Sequence, residues 1–497
     1  MDEQRIKAYR KLSQALLNCP SRQEEILQAH RELVDQGLIQ EILQMATSLR
    51  ERGLLLDIAN RLMNLAGQLM GASGNTPPQG QRLAGNATES ASNHSESLQE
   101  VTQADINFLV EILQAVESSN ADPQVIYPLL EEHSAQLDDR FANVLQVWAE
   151  FTLPEVELEQ RQGITRVIGA FSELMREFPL CNRAANVEIA IVGNEIALTV
   201  FTRDIDPENW AAFQNNFGLA YADRIRGERA DNLEQAIACF HQALEEYTRK
   251  RFPFEWAGTQ NNLGIAYSER IRGERADNLE QAIACFRQAL EEYTRERFPF
   301  EWAMTQKNLG YAYFDRIRGE RADNLEQAIA CCHQALEEYT RERFPFEWAA
   351  TRNNLGIAYS QRIRGERADN LEQAIACYHQ ALEEYTRERF PFDWAMTQNN
   401  LGNAYFDRIR GERADNLEQA IACYHQALEE YTRERFPVDW ANTQNNLGIA
   451  YSHRIRGDQA DNLEQAIACY HQALEEYTRE RFPFEWARTQ NNLALLT

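Results

Sequence analysis

The chain has 497 residues, 44% of them hydrophobic and 25% charged, which is the composition of a globular protein with several packed units. Its formal net charge of -26 argues against nucleic-acid binding, because proteins of that class normally present a basic surface. The amino-terminal residues are charged throughout and no segment has the apolar length of a membrane span, so we expect a cytoplasmic protein that has reduced cysteines and binds no membrane.

The sequence before residue 99 predicts a small helical module followed by a linker. Residues 1–71 show helical periodicity interrupted at Gly37 and Gly53, and Ser21 with Glu24 forms a capping box before one helix. Residues 72–98 are rich in Gly, Ser, Asn and Gln and include two consecutive prolines. This composition predicts a flexible linker.

Helical periodicity resumes after the predicted linker. Residues 99–154 predict a helical segment in which Asp122 and Pro123 fit the N-cap and the first position of a helix. Residues 155–205 end in a stretch that looks like a diverged form of the second helix of the repeat that follows. We therefore expect a diverged repeat there, ahead of a repeat array in residues 206–497.

A tryptophan marks every copy of the repeat. The interval is 46 residues (256 − 210 = 46), and the tryptophans are Trp210, Trp256, Trp302, Trp348, Trp394, Trp440 and Trp486. A period of about 20–50 residues predicts a solenoid in which each unit packs mainly on its neighbours. One copy buries too little apolar surface to offset the entropy of ordering its own backbone, so stacking is needed for folding.

Each copy contains two amphipathic helices. In the second copy of the array, the first helix runs between Pro253 and Gly273 and carries a single apolar stripe. The second helix has a stripe from Leu279 to Tyr293, and its expected N-cap is Asp277.

The residues on these stripes resemble those of tetratricopeptide (TPR) repeats. The similarity lies in a leucine-glycine pair, a tyrosine, two alanines and an aromatic residue, which are Leu263, Gly264, Tyr267, Ala282, Ala289 and Phe286. The resemblance implies an all-α, right-handed superhelical solenoid of antiparallel helix pairs, whose first helices line a concave groove. The chain departs from the family in its 46-residue period, against about 34, and in Gln260 at a position that is usually aromatic.

The wording of the repeats, the opening MDEQRIKAYRKLSQALLNCPS and the stretch LPEVELEQ also resemble the regulatory part of cyanobacterial TPR proteins. In many of those proteins a caspase-like CHAT peptidase domain follows the repeats. This sequence stops at Thr497 inside a further copy, without such a domain and without a His/Cys catalytic pair, so peptidase activity is not carried over. The resemblance implies an alternative function, a regulatory fragment or subunit that works with a separate CHAT-type peptidase.

Two residue types recur in the second helix and predict packing rather than chemistry. A cysteine recurs at one position of every copy, but equivalent positions in stacked copies are about 8–10 Å apart, beyond the roughly 7 Å that a disulfide spans, so we expect buried packing residues. A histidine recurs in most copies and Arg287 replaces it in one, which argues against a metal ligand and indicates a solvated face. We expect neither metal nor cofactor. Cys332 stands where other copies have Phe or Tyr, which predicts a void.

Near-identical copies show which positions are free to vary. The variable positions cluster on one face of the first helix, and by resemblance that face lines the concave TPR groove. Alternate copies agree, which indicates either aromatic and Met patches in every second layer or the simple duplication of a two-copy unit. The expected partner-binding residues are Met304, Tyr311, Phe314, Asp315, Met396, Asn403, Phe406 and Asp407, with the amides of Asn261, Asn353, Asn399 and Asn445 to hold a ligand backbone.

These patterns favour a non-enzymatic scaffold that binds a protein or peptide in its groove. A ligand with exposed basic residues would complement the acidic chain. The sequence has no metal-ligand spacing, phosphate-binding loop or nucleophile elbow that would indicate an enzyme. The oligomeric state and the role of the amino-terminal module stay open.

Overall fold

The computed structural model describes residues 101–496 throughout and, before them, residues 5, 8, 9, 12, 23–35, 37–40, 42 and 43. Every regular element in this described part of the chain is a helix, which confirms the predicted all-α class. The chain divides into two units, Met1–Glu246 and Tyr247–Thr497. The predicted linker 72–98 and most of the predicted module 1–71 lie outside the described residues, and the predicted domain boundaries stay a prediction.

The unit Met1–Glu246 already contains paired helices. Its α-helices are α1 (Gln23–Ala29), α2 (Gln103–Ser118), α3 (Pro123–Glu132), α4 (Asp139–Thr152), α5 (Leu158–Glu177), α6 (Arg183–Val200), α7 (Pro207–Asp223) and α8 (Arg229–Glu246). Short 3-10 turns lie at Arg31–Leu33, Ser134–Gln136 and Leu153–Glu155. The helices α5 and α6 pack along each other as a pair, and so do α7 and α8.

Local sequence explains where the helices of this unit begin. Thr102 and Asp105 form a capping box at the start of α2. The Asp122 side chain accepts a hydrogen bond from the backbone N–H of Gln124, and Pro123 occupies the first position of α3, as predicted. The unit has one large apolar cluster, whose fully buried members include Leu38, Ile42, Ile112, Phe171 and Phe201.

The unit Tyr247–Thr497 repeats one pair of helices. The first helices of its copies are α9 (Pro253–Glu269), α11 (Pro299–Asp315), α13 (Pro345–Gln361), α15 (Pro391–Asp407), α17 (Pro437–Ser452) and α19 (Pro483–Ala494). The second helices are α10 (Arg275–Ala289), α12 (Arg321–Ala335), α14 (Arg367–Leu382), α16 (Arg413–Leu428) and α18 (Gln459–Glu476). Each second helix packs on the first helix of its own copy and on that of the next copy. This stacking confirms the predicted solenoid of helix pairs.

A proline starts every first helix of this unit, and a glycine shapes the turn after it. Pro253 is the first residue of α9, as predicted. In the following turn Gly273 has a φ of 79°, a left-handed conformation that favours glycine. The Asn278 amide closes the turn, because it donates hydrogen bonds to the carbonyl oxygens of Arg270 and Arg272 at 3.2 and 2.9 Å.

The prediction that Asp277 is the N-cap of the second helix is wrong. The helix α10 already starts at Arg275, and Asp277 lies in its first turn, where a carboxylate suits the positive end of the helix. The carboxylate of Asp277 forms an ion pair with Arg318 of the next copy. A contact between copies, which the local sequence does not show, therefore engages this side chain.

A glycine lets the two helices of a copy approach closely. A Cβ atom on Gly264 would lie 2.7 Å from the ring of Phe286, and one on Gly356 would lie 2.6 Å from the ring of Tyr378. The neighbouring Leu263 is buried as well. The aromatic residue of the second helix therefore requires a residue without a side chain opposite it.

Arginines connect each copy to the next. The Arg316 guanidinium donates two hydrogen bonds to the Glu280 carboxylate of the preceding copy, at 2.7 and 2.9 Å, and lowers the pKa of that carboxyl. The same pair recurs as Arg362–Glu326, Arg408–Glu372 and Arg454–Glu418. At the other end of the helices, Arg295 pairs with Glu337 and Glu338 of the next copy. The forked geometry fixes how neighbouring copies align.

Candidate functional site

One arc of each first helix in the unit Tyr247–Thr497 stays accessible. In α11 the arc consists of Glu301, Met304, Asn308, Tyr311 and Asp315, whose spacings of three and four residues put them on one helix face. All five are half-buried or exposed. Neighbouring first helices contact one another, so their arcs adjoin.

We call these adjoining arcs the open face. Besides the α11 residues it contains Glu255, Gly258, Asn262, Ile265 and Glu269 of α9, Glu347, Ala350, Asn354, Ile357 and Gln361 of α13, Asp393, Met396, Asn400, Asn403 and Asp407 of α15, and Asp439, Asn442, Asn446, Ile449 and His453 of α17.

Half of the predicted partner-binding residues lie on the open face. They are Met304, Tyr311, Asp315, Met396, Asn403 and Asp407. The ring of Tyr311 is the most accessible aromatic group there, with 51% of the residue exposed. The structure therefore brings these six residues to one surface, and their role in binding stays a prediction.

Phe314 and Phe406 lie at the edge of the open face, and their rings are engaged by the chain itself. The Arg321 guanidinium sits 4.9 Å from the centre of the Phe314 ring, and Arg413 sits 4.8 Å from that of Phe406. The Phe406 ring also meets His453 of the next copy edge-on at 5.4 Å. The structure therefore places both phenylalanines in contacts at the border of the open face, and their role in binding stays a prediction.

The agreement between alternate copies extends to the contacts that these residues make. Arg321 stacks on Phe314 and donates to the neutral side chain of Gln361 in the next copy at 2.8 Å. Arg275, whose copy has a serine in place of the phenylalanine, instead pairs with Asp315 of the next copy at 2.9 Å. The same ion pair recurs two copies later between Arg367 and Asp407, at 3.1 Å. Residues that repeat in every second copy thus contact the neighbouring copies. Two of the predicted binding residues, Asp315 and Asp407, are engaged in these ion pairs.

The amides expected to hold a ligand backbone are buried, which corrects that expectation. They are Asn261, Asn353, Asn399 and Asn445, with 1%, 1%, 8% and 0% of each residue exposed. The Asn353 oxygen accepts hydrogen bonds from Thr397 and Asn400 of the next copy at 3.4 and 3.3 Å. The other three oxygens accept the equivalent bond from Asn308, Asn446 and Asn492. These asparagines form a ladder between first helices.

Lys307 interrupts this ladder. It occupies the asparagine position of its copy and offers no carbonyl oxygen to the next copy. Burial lowers the pKa of its ammonium, while the carboxylate of Glu347 acts in the opposite direction. The same lysine acts electrostatically on the thiol of Cys332, the other exceptional residue of this copy.

A row of acidic residues follows the amino-terminal ends of the first helices. The row has one carboxylate per copy: Glu255, Glu301, Glu347, Asp393 and Asp439. None of them forms an ion pair with any residue that the structure describes, whereas the acids between copies pair with arginines. Burial raises the pKa of Asp393 and Asp439. Sequence reasoning missed this row, although an acid stands three residues before the first variable position in every copy.

The cysteines and histidines of the second helices have structural roles. Cys285 and its equivalents are buried, and burial raises the pKa of the Cys285 thiol to about 12, so the prediction of packing residues is confirmed. The histidines are exposed, as predicted, but they also contact the next copy. His379 Nε2 lies 3.0 Å from the Tyr405 hydroxyl, and Arg287 bonds to the equivalent Tyr313 hydroxyl. Histidine and arginine can replace each other here because both present a nitrogen to a tyrosine.

The described residues contain no group of three or more His, Cys, Asp and Glu side chains that could hold a metal ion. The cysteines that the structure describes are free thiols. Among the described helices, none combines the length and apolar character of a membrane-crossing segment.

Comparison with protein families identifies the repeat. Tetratricopeptide repeats match residues 256–293, 348–385, 394–431 and 440–477. These four segments have the tetratricopeptide-repeat pattern. Each match runs from the tryptophan of a first helix to the tyrosine after the second helix, such as Trp256 and Tyr293. Sel1 repeats match residues 212–246 and 303–338.

Solved structures show distant similarity to this chain. It is similar to a Rap protein complexed with competence and sporulation factor, at 13% identity and a TM-score of 0.42, over 79% of this chain and 96% of that one. It is also similar to the APC/C hetero-tetramer Cut9-Hcn1, at 12% identity and a TM-score of 0.39, over 98% and 96%. No curated protein sequence matches the chain. The association with CHAT-type peptidases stays a prediction.

Proposed function

We propose that the unit Tyr247–Thr497 is a protein-interaction scaffold whose open face binds a basic segment of a partner protein. The proposed role is binding, without catalysis. It is supported by the TPR repeats of this unit and by the acidic row along the open face.

The contrast between two groups of acidic residues carries the proposal. Acids between copies, such as Glu280 and Glu326, each face an arginine of the next copy. The acids of the row have no such partner among the described residues, although they lie one per copy along adjoining arcs. Burial disfavours the charged forms of Asp393 and Asp439 in the free chain, which raises the pKa of both carboxyls. A basic segment laid along the row would supply the opposite charge that these carboxylates lack.

The shape of the open face suits a chain segment. Adjoining arcs of near-identical helices form an extended surface, which is how repeat proteins present binding sites. Between the carboxylates lie half-buried apolar side chains such as Met304, Ile357 and Met396. A segment with alternating basic and apolar residues can use both kinds of contact.

The test uses affinity capture from an extract of the native host with the full chain and two variants. The open-face variant removes three charges of the row through Glu301→Gln, Glu347→Gln and Asp393→Asn. The control removes three exposed acids in the turns after the second helices through Glu296→Gln, Glu342→Gln and Glu388→Gln, so both variants have the same net charge.

We expect the wild-type chain and the control to retain the same partner and the open-face variant to lose it. Neutral residues at the row should leave the fold intact, because none of the three acids forms an ion pair with a residue that the structure describes. Equal retention by all three proteins would place the binding surface elsewhere. A CHAT-type peptidase, the alternative that the sequence resemblance implies, is one partner that this capture can identify.

A further inference from the structure

We infer that the open face has one anchoring position for the partner segment, a depression over Ala350 that we call the notch. The notch binds one apolar side chain of that segment, and basic residues flank this side chain. The inference rests on the proposed function and names the part of the partner that the face selects.

The notch results from side-chain size at one position of the open face. Three consecutive copies have Met304, Ala350 and Met396 at this position, and all three residues are half-buried. The helices α11, α13 and α15 contact one another in this order. The two long methionine side chains therefore stand on either side of a methyl group, which leaves a depression about one side chain wide.

The floor and walls of the notch belong to packed apolar clusters. Met304 and Ala350 pack against one cluster, which includes Tyr339 and the 9% exposed Trp348. Met396 packs against the corresponding cluster of its own copy, around Tyr431. The floor is thus held in place before any ligand arrives. The methionine walls, by contrast, can adapt to anchors of different shape.

Carboxylates border the notch along one side. Glu301, Glu347 and Asp393 each precede their notch residue by three positions in the same helix, so each carboxylate neighbours the notch. Among the described residues, Lys307 is the cation that acts on Glu347, and no ion pair involves Glu301 or Asp393. Basic residues that precede and follow the apolar anchor in a bound segment can therefore each contact a carboxylate.

The neighbouring copies do not repeat this combination. The same position holds Gly258 before the notch and Asn442 after it. Asn442 is polar, and the next residue in the series is Arg488, which repels a basic segment. Ala350 is the small apolar position that lies between two methionines. The occupant that fits is a protein segment with a Leu, Ile, Met or Phe between Lys or Arg residues.

The test measures binding of the full chain to synthetic peptides on an array. One set carries a central Leu between Lys and Arg residues, a second set replaces the Leu by Ser, and a third replaces the basic residues by Asp and Glu. The chain is used as wild type, as Ala350→Met, which fills the notch, and as Ala376→Met. Ala376 is an exposed residue on the second helix of the same copy, so this control adds the same side chain away from the open face.

We expect the wild-type chain and the Ala376→Met control to prefer the basic peptides with Leu over both other sets. Ala350→Met should weaken binding of those peptides by about tenfold, with an unchanged melting temperature. Basic peptides that bind the Ala350→Met variant as tightly as the wild type would overturn the notch but leave the proposed function standing. Failure of every basic peptide to bind, or equal binding of acidic ones, would overturn both.

Discussion

The arginines that form ion pairs between neighbouring copies differ in their exposure to solvent. The side chains of Arg362 and Glu326 are 29% and 24% exposed, and the guanidinium contacts both carboxylate oxygens. Arg364 and Asp323, a few residues away, are 57% and 58% exposed. Solvent screens an exposed ion pair, and both side chains lose entropy when it forms. We therefore expect the half-buried pair to contribute more to the coupling between copies.

A double-mutant cycle tests this ranking. The variants are Arg362→Met and Glu326→Gln for the half-buried pair, and Arg364→Met and Asp323→Asn for the exposed pair. Urea unfolding should give an interaction free energy of about 1 kcal/mol for the first pair and about zero for the second. Equal values for the two pairs would show that burial does not decide their contributions.

Two residues of one copy differ from their equivalents in the other copies, and we expect their effects on stability to be coupled. Cys332 replaces an aromatic residue, Lys307 replaces an asparagine of the ladder, and the lysine acts on the cysteine thiol. Burial raises the pKa of Cys332 to about 12 and lowers that of Lys307.

Reverting both residues restores the pattern of the other copies. We expect Cys332→Phe combined with Lys307→Asn to raise the melting temperature by about 2–4 °C, and by more than the sum of the two single changes. Calorimetry on the full chain measures this. Additive effects would show that the two positions do not interact.

The close approach of the paired helices depends on what stands opposite the glycine. A Cβ atom on Gly356 would lie 2.6 Å from the Tyr378 ring, whereas one on Gly310, opposite Cys332, would lie 3.2 Å or more from its neighbours. We expect Gly356→Ala to lower the free energy of unfolding by about 1–3 kcal/mol. Gly310→Ala should cost clearly less, because its Cβ atom meets no ring. The gain of about 1 kcal/mol that alanine brings to a helix then offsets more of the steric cost. Chemical denaturation that ranks the two substitutions the other way would contradict the helix register.

The histidines of the second helices should make stability depend on pH. Although these residues are exposed overall, partial desolvation of their rings lowers the pKa of His333, His379 and His425. The unfolded chain therefore binds protons more readily, and the free energy of unfolding should fall as pH drops through about 6.5. Replacing the three residues by Gln should flatten urea midpoints measured between pH 7.5 and 5.5. An unchanged slope would assign the pH dependence to other groups.

Local features of the helices could be predicted from the sequence, but contacts between copies could not. The positions of Pro253 and Gly273 follow from backbone preferences that act within one copy. The burial of Asn261 and the ion pair of Asp277 depend on which residues face each other across stacked copies. Spacing within one copy shows the face on which a residue lies, but it does not show what the next copy places there. For this reason Met304 lies on the accessible face, where its binding role stays a prediction, whereas the asparagines expected there are buried.

At the level of the whole chain, stacking determines where charge remains available. The sequence has 26 more acidic than basic residues (76 − 50 = 26). In the unit Tyr247–Thr497, many arginines are used between copies, as in the pairs of Arg295 and Arg316. The acidic row of the open face has no comparable partner among the described residues. The same repetition that stabilises the stack thus places unpaired carboxylates along one surface.

The most direct test is a photo-crosslinking scan of the full chain in its native host. Benzoylphenylalanine replaces either Ile357, on the open face, or Ile363, which is 60% exposed in the turn after the same helix. We predict that irradiation attaches a partner protein to position 357, that added polylysine prevents this, and that position 363 gives no adduct. Adducts at position 363 without any at position 357 would contradict the open face as the binding surface.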